Sequence, residues 1–183
     1  SGDAMEDAVC AACNKAVELL DEYAPVEIQC ERYLEKEPHP GGQEAFSIRA
    51  RLPWHRQLQT RVLVEISVDE KVLKPIQRLS VIHNYDEILD AAVNVYSLEE
   101  IVGEKLRAIL QHAEKLEERG WSRSRARDYY DLWRIFGAYK AQMNLTGFSA
   151  FLKDKCAVKN VRFQSAEDFF QEKVLSNVER TWE

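Results

Sequence analysis

Val93-Asn94-Val95-Tyr96-Ser97-Leu98-Glu99-Glu100-Ile101-Val102-Gly103-Glu104-Lys105-Leu106-Arg107-Ala108-Ile109-Leu110 is the stretch on which the fold turns. Up to Tyr96 the apolar residues recur with the period of a strand. From Leu98 they recur at Leu98, Ile101, Val102, Leu106, Ile109 and Ala113, the period of a helix. Ser97 with Glu100 matches a capping box, so a helix is expected from Ser97 to about Glu118. Lys105 falls near the middle of its apolar stripe. A buried ammonium costs several kcal/mol without a partner, so this lysine has to be paired, neutral or turned toward a ligand.

Before this stretch the chain reads as sheet. Val26, Ile28 and Cys30 alternate with Glu27, Gln29 and Glu31. Phe46, Ile48, Ala50 and Leu52 alternate with Ser47, Arg49 and Arg51. Val62, Val64, Ile66 and Val68 alternate with Leu63, Glu65 and Ser67. Each is a half-buried strand by its period of two, and His39-Pro40-Gly41-Gly42 reads as the turn between the first two. Leu79–Ile82 and Val93–Tyr96 are two shorter strands. A helix over Asp3–Ala24, ended by Pro25, precedes them.

After the stretch the chain reads as helix. Helices are expected from Ser124 to Lys140 and from Phe148 to Lys155, with a break at Asn144–Gly147. Ser165 and Asp168 cap a last helix carrying Phe169, Phe170, Val174, Val178 and Trp182. The expectation is an α+β fold, with a largely antiparallel sheet lobe over 1–96 and a helical lobe over 97–183, in a length that suits either two small lobes or one compact domain.

Composition narrows the function. The net charge of −6 argues against a surface built for nucleic acid all over, though it permits a local basic patch. There is neither a long apolar run nor the basic-then-apolar plan of a secretory signal, which favours a cytoplasmic protein with no membrane partner. Cys10 and Cys13 form a C-x-x-C, but they lie in an alanine-rich helix with no second pair to complete a zinc set, so they read as structural thiols.

Four groups remain as candidates. Lys105 is the first. Asp128 and Asp131, three apart on the core side of their helix with Leu132, Ile135 and Tyr139, are the second. They need cations, donors or a metal. Pairing with Lys105 and Arg127 would serve to pin two helices, and the same network would orient a catalytic lysine; the residues fit both readings. Glu65 is a lone carboxylate on the strand face opposite the valines. Arg119, Arg123, Arg125 and Arg127, after Lys115, form a basic loop that either caps the preceding helix or binds phosphate.

The blocks Val62-Leu63-Val64-Glu65-Ile66-Ser67, Val95 to Ala108 and Arg127-Asp128-Tyr129-Tyr130-Asp131-Leu132-Trp133 together resemble the AbiEii/AbiGii toxin family of nucleotidyltransferase-like proteins. The resemblance covers most of the chain, and its specific parts are E-K-L-x-A and R-D-x-Y-D-L-W. It implies a polymerase-β-like nucleotidyltransferase fold with a helical C-terminal lobe. It also implies toxins of toxin–antitoxin or phage-abortive systems that use an NTP and Mg²⁺, some transferring nucleotides to RNA such as tRNA acceptor ends. On this resemblance Glu65 is the third metal carboxylate. Lys105 is a catalytic lysine contacting phosphate or nucleotide. Asp128 and Asp131 are the final acidic motif, and Arg123, Arg125 and Arg127 contact nucleotide or RNA. Glu65 is expected to face Lys105 from the sheet, and a cognate antitoxin is an expected partner. The family's opening G-G-[ST] turn and D-x-[DE] metal pair are missing: Gly41-Gly42-Gln43 has no D-x-D after it. The chain therefore reads as a fragment, clipped also after Thr181-Trp182-Glu183, with little or no nucleotidyl transfer of its own. A non-catalytic module that binds RNA or an antitoxin is the alternative.

Overall fold

The computed structural model describes residues 2–34, 43–68, 70–84, 86 and 90–182, so the expected turn at 39–42 lies outside the described residues. The chain divides into two compact units, Ser1–Glu70 and Lys71–Glu183.

The first unit is one helix and a sheet. Helix α1 (Gly2–Leu20) precedes strands β1 (Glu27–Arg32), β2 (Glu44–Arg51) and β3 (Thr60–Ile66). The three strands form an antiparallel sheet with β2 central. The period of two sorts their side chains. Ile28, Ile48 and Ile66 line an apolar groove with Val9, Cys13 and Ala16 of α1. Phe46, between Arg32 and Val64 in the register, is fully buried. The alternate face carries Glu27, Gln29 and Glu31, all exposed. There Arg51 sits opposite Glu27 and bonds it at 2.6 Å, a cross-strand pair worth about 1 kcal/mol at most in water. Burial and the neighbouring Cys10 and Cys13 thiols push Cys30 up to about 12. All four cysteines are free.

The second unit opens with an antiparallel ribbon, β4 (Gln77–Ser80) and β5 (Ala92–Val95). Helices α2 (Leu98–Arg119), α3 (Ala126–Tyr139), α4 (Phe148–Val158) and α5 (Glu172–Glu179) follow. Its core is built on α2. Val102, Ile109 and Leu110 are buried against Leu132 of α3, Leu152 and Cys156 of α4, and Phe169. Each such aliphatic side chain contributes about 1.5–3 kcal/mol on leaving water. Gly120 ends α2 in the left-handed region at φ 75°, its N–H donating to Leu116 O. Gly147, at φ 69°, occupies the expected break before α4.

The structure differs from the sequence reading in particular elements. The division between units falls at 70/71, against the expected 96/97. The capping box of α2 is half formed: Ser97 Oγ accepts the Glu100 N–H at 3.2 Å, while the Glu100 carboxylate bonds the N–H groups of Leu73 and Lys74 instead. Tyr139, expected on the core side of α3, is exposed. The last helix is two pieces, because Gln171 is extended at φ −61°, ψ 134°. Ser165 and Asp168 cap a short 3-10 helix, Ala166–Phe170, and α5 starts anew after it.

Candidate functional site

Lys105 lies on α2 between two fully buried residues, Val102 and Ile109, and its head reaches across to α3. Its Nζ donates to Asp131 Oδ2 at 2.6 Å and to Asp128 Oδ1 at 3.2 Å. The other oxygen of Asp128 accepts from Arg125 Nη1 at 3.4 Å. Asp128 also stands in the first turn of α3, where the helix dipole favours negative charge. Burial lowers the pKa of Lys105, but the hydrogen bonds to Asp131 and Asp128 outweigh it and leave the ammonium above its ordinary 10.5. The lysine is thus a fixed cation. The arginine that completes the network is Arg125, where Arg127 was expected. Helix α3 begins at Ala126, so Arg125 is its N-cap residue and reaches Asp128 three positions on.

Arg127 points elsewhere. It is exposed and shared by two open grooves. One, of about 500 Å³, is lined by Arg123, Arg125, Arg127 and Asp128. The other, of about 660 Å³, is lined by Arg127, Tyr130, Asp131 and Trp182. Ala126, Arg127 and Thr181 border both. Ser124 holds the start of α3, its Oγ accepting the Ala126 N–H at 3.2 Å, and its hydroxyl also bonds that of Thr181. The structure therefore gathers Arg123, Arg125, Arg127, Asp128 and Asp131 around one surface, with Lys105 behind its two aspartates.

Glu65 belongs to the other unit. It is exposed on β3 opposite Ala45 of β2, and its neighbours two positions away on the strand are Leu63 and Ser67. The register puts Glu31 and Glu27 on the same face of the sheet, on β1, with β2 between them and Glu65. Among the described residues, no three of His, Cys, Asp and Glu gather as a metal site. Asp128 and Asp131 already face cations. The carboxylates described here do not fit a Mg²⁺ site.

Two further clusters escaped the sequence reading. Lys155 of α4 is buried with Glu100, bonds its Oε1 at 2.6 Å, donates to Lys71 O at 2.8 Å, and also pairs with Glu104. Lys155 falls among Phe151, Leu152 and Cys156, all buried, so the stripe argument that found Lys105 finds it too. His112 is the other. It is 1% exposed, and the Asn177 side chain is the polar group beside its ring, though among the described residues neither ring nitrogen meets full hydrogen-bond geometry. Burial and the charge of Arg125 lower its pKa below 6.5, Asn177 opposing and Lys115 adding to the effect. A neutral imidazole thus sits beside the arginine that holds Asp128.

The sheet unit and the helical unit make an α+β fold, consistent with a nucleotidyltransferase-like protein. Residues 1–183 match the family described as "Nucleotidyl transferase AbiEii toxin, Type IV TA system", and the chain belongs to that family. It is therefore a toxin-type nucleotidyltransferase domain. Neither the curated proteins nor the solved structures give a match. No helix among the described residues is long and apolar enough to cross a membrane.

Proposed function

We propose that this chain supplies the phosphate-contacting part of an enzyme that transfers a nucleotide from an NTP to RNA or protein with Mg²⁺, and that this polypeptide transfers none by itself. One observation carries the reading: a lysine locked by two aspartates stands behind a surface whose arginines face outward. In that arrangement Asp128 and Asp131 hold Lys105 and Arg125 in place, and Arg123 and Arg127 offer guanidinium forks to phosphate oxygens. Lys105 cannot serve as a base at neutral pH, because its pKa is raised; it acts as a charge. The inactivity follows from the carboxylates: among the described residues Glu65 is part of no cluster of three metal-ligating side chains, and the sequence contains no D-x-[DE]. Incubation with labelled NTPs, Mg²⁺ and tRNA is expected to give no transfer, and robust transfer by the pure chain would overturn this.

The same lack of clustered carboxylates favours the second reading, a non-catalytic module that binds RNA or an antitoxin. The toxin–antitoxin family supports an antitoxin as partner. Lys105→Met separates a binding site from a mere helix clamp. It is expected to weaken tRNA binding while costing about 1–2 kcal/mol of stability, a half-screened ion pair lying between surface and buried values. A purely structural network would change stability and leave affinity alone.

A further inference from the structure

Three of the four cysteines stand in the first 30 residues, and the fold brings them together. Cys10 and Cys13 are three apart on α1, so they share one face of the helix. Cys30 lies on the face of β1 that α1 covers. Its neighbour Ile28 and its register partner Ile48 line the apolar groove beside Cys13, whereas Gln29 and Glu31 are exposed on the other face. A second contact fixes the alignment of helix and strand. Arg32 Nε pairs with Glu6 Oε2 at 3.5 Å, tying β1 to α1. Four residues along a helix advance about 6 Å and two along a strand about 6.6 Å, so the step from Glu6 to Cys10 matches the step back from Arg32 to Cys30. The Cys30 thiol accordingly lies within hydrogen-bonding reach of the Cys10 and Cys13 thiols. Access separates the three: Cys13 is buried, while Cys10 and Cys30 are partly open to solvent. Among the described residues they do not gather as a metal site, which leaves the chemistry of the thiols themselves.

We propose that Cys10 and Cys30 form a thiol–disulfide exchange site, at which a low-molecular-weight disulfide oxidises the pair and ties α1 to β1. In the first step the Cys10 thiolate attacks one sulfur of the reagent R–S–S–R. A Cys10–S–S–R bond forms and one thiolate leaves. In the second step the Cys30 thiolate attacks the Cys10 sulfur. The Cys10–Cys30 disulfide forms and the second thiolate leaves. The two protein thiols give two electrons to the reagent, and their two protons end, through water, on the two released thiols. Cys30 suits the second step better than the first. Burial and the neighbouring thiols keep it protonated, with its pKa pushed up to about 12, and turning Cys10 into the mixed disulfide removes one of those neighbours.

The test treats the whole chain with glutathione disulfide, blocks the remaining thiols with N-ethylmaleimide, and maps the bonds by tandem mass spectrometry without reductant. The parent is expected to yield a peptide pair joined through Cys10 and Cys30. Cys30→Ser should stop after the first step and retain one glutathione on Cys10. Cys10→Ser should slow the uptake of glutathione by roughly tenfold or more, because the accessible thiol is gone. Cys13→Ser should still close the Cys10–Cys30 bond. Amide hydrogen exchange across α1 should slow in the oxidised parent and recover with dithiothreitol, a change that Cys30→Ser should not show. Four results would each overturn the proposal: a Cys10–Cys13 bond inside the helix, a mixed disulfide that persists in the parent, a Cys10→Ser variant that reacts as fast as the parent, or a chain that takes up no glutathione. Cys156, 1% exposed on α4, is the internal control. Its modification as fast as that of Cys10 would mean that reaction follows unfolding, and would overturn the proposal as well. Helical circular dichroism checks each variant, and a serine variant that loses it is replaced by alanine at the same position.

Discussion

A polar side chain set in an apolar helix stripe has three ways to be tolerated, and the described residues of α2 and α4 show all three. Lys105 keeps its charge at the edge of solvent by facing two aspartates. Lys155 keeps its charge in the interior, between Glu100 and Glu104. His112, with Arg125 and Lys115 as its charged neighbours, gives up its charge. The last solution has a consequence for acid stability. Its folded pKa lies below the ordinary 6.5, so as pH falls the unfolded chain binds the proton first. Stability is therefore full above 6.5 and declines as pH drops, until the folded imidazole itself titrates. Glu99 and Glu104 have pKa values lowered from 4.5, so the stability they contribute is lost only below 4.5. The window from 6.5 to 4.5 thus belongs to His112 among the shifted groups. His112→Leu should flatten the dependence of the urea midpoint on pH across that window. At pH 7 it should lie within about 1 kcal/mol of the parent, because it removes unbonded polar atoms along with the ring. An undiminished slope in the variant would refute this role.

At the scale of elements, α2 is the axis, and its approach to α4 depends on a missing side chain. A Cβ on Gly103 would stand 2.6 Å from Cε1 and 2.9 Å from Cζ of Phe151. In an exposed helix Gly→Ala stabilises by about 1 kcal/mol. Here Gly103→Ala should instead destabilise by about 1–3 kcal/mol, the usual cost of overpacking, and Phe151→Leu in the same chain should recover part of it. Urea unfolding followed by circular dichroism measures both, and a stabilised Gly103→Ala would show that the helices yield. This contact also marks what the sequence could and could not disclose. The change of period at Ser97 placed α2 and its cap because both are local. The fate of the Glu100 carboxylate was hidden, since its donors at Leu73 and Lys74 lie in a segment without periodicity. The break at Gln171 was hidden for the opposite reason. Phe169, Phe170, Val174 and Val178 fit one helical stripe on paper, yet Phe169 is buried and Phe170 is exposed. Arg127 was expected because it adjoins Asp128 in the sequence, but side chains three apart on a helix meet and adjacent ones do not, so Arg125 makes the pair.

For the whole molecule, the −6 charge and the arginine surface are compatible because the charge is unevenly placed, and residues 119–127 hold four of the 25 basic residues. The candidate site was legible where residues share one helix, as with Asp128 and Asp131, or where burial forces a pairing, as with Lys105. The groove was not, since Trp182 joins Arg127 only through the fold. The compact units meet at 70/71 and the period changes at 96/97, for a change of secondary structure need not be a boundary. What ties 71–74 to the helices is a set of half-buried hydrogen bonds to charged groups. Lys71 O accepts from Lys155, and the Leu73 and Lys74 N–H groups donate to Glu100. Each hydrogen bond to a charged group is worth about 1.5–3 kcal/mol. A polypeptide covering 71–183 should therefore unfold cooperatively in urea, whereas one covering 97–183 should be weaker by about 3 kcal/mol or more. In the shorter chain Glu100 and Lys155 lose their backbone partners and keep only side chains. The comparison is by helical circular dichroism of the two polypeptides. Equal midpoints would mean that 71–96 adds nothing to the helical fold, and that the unit begins at the helix.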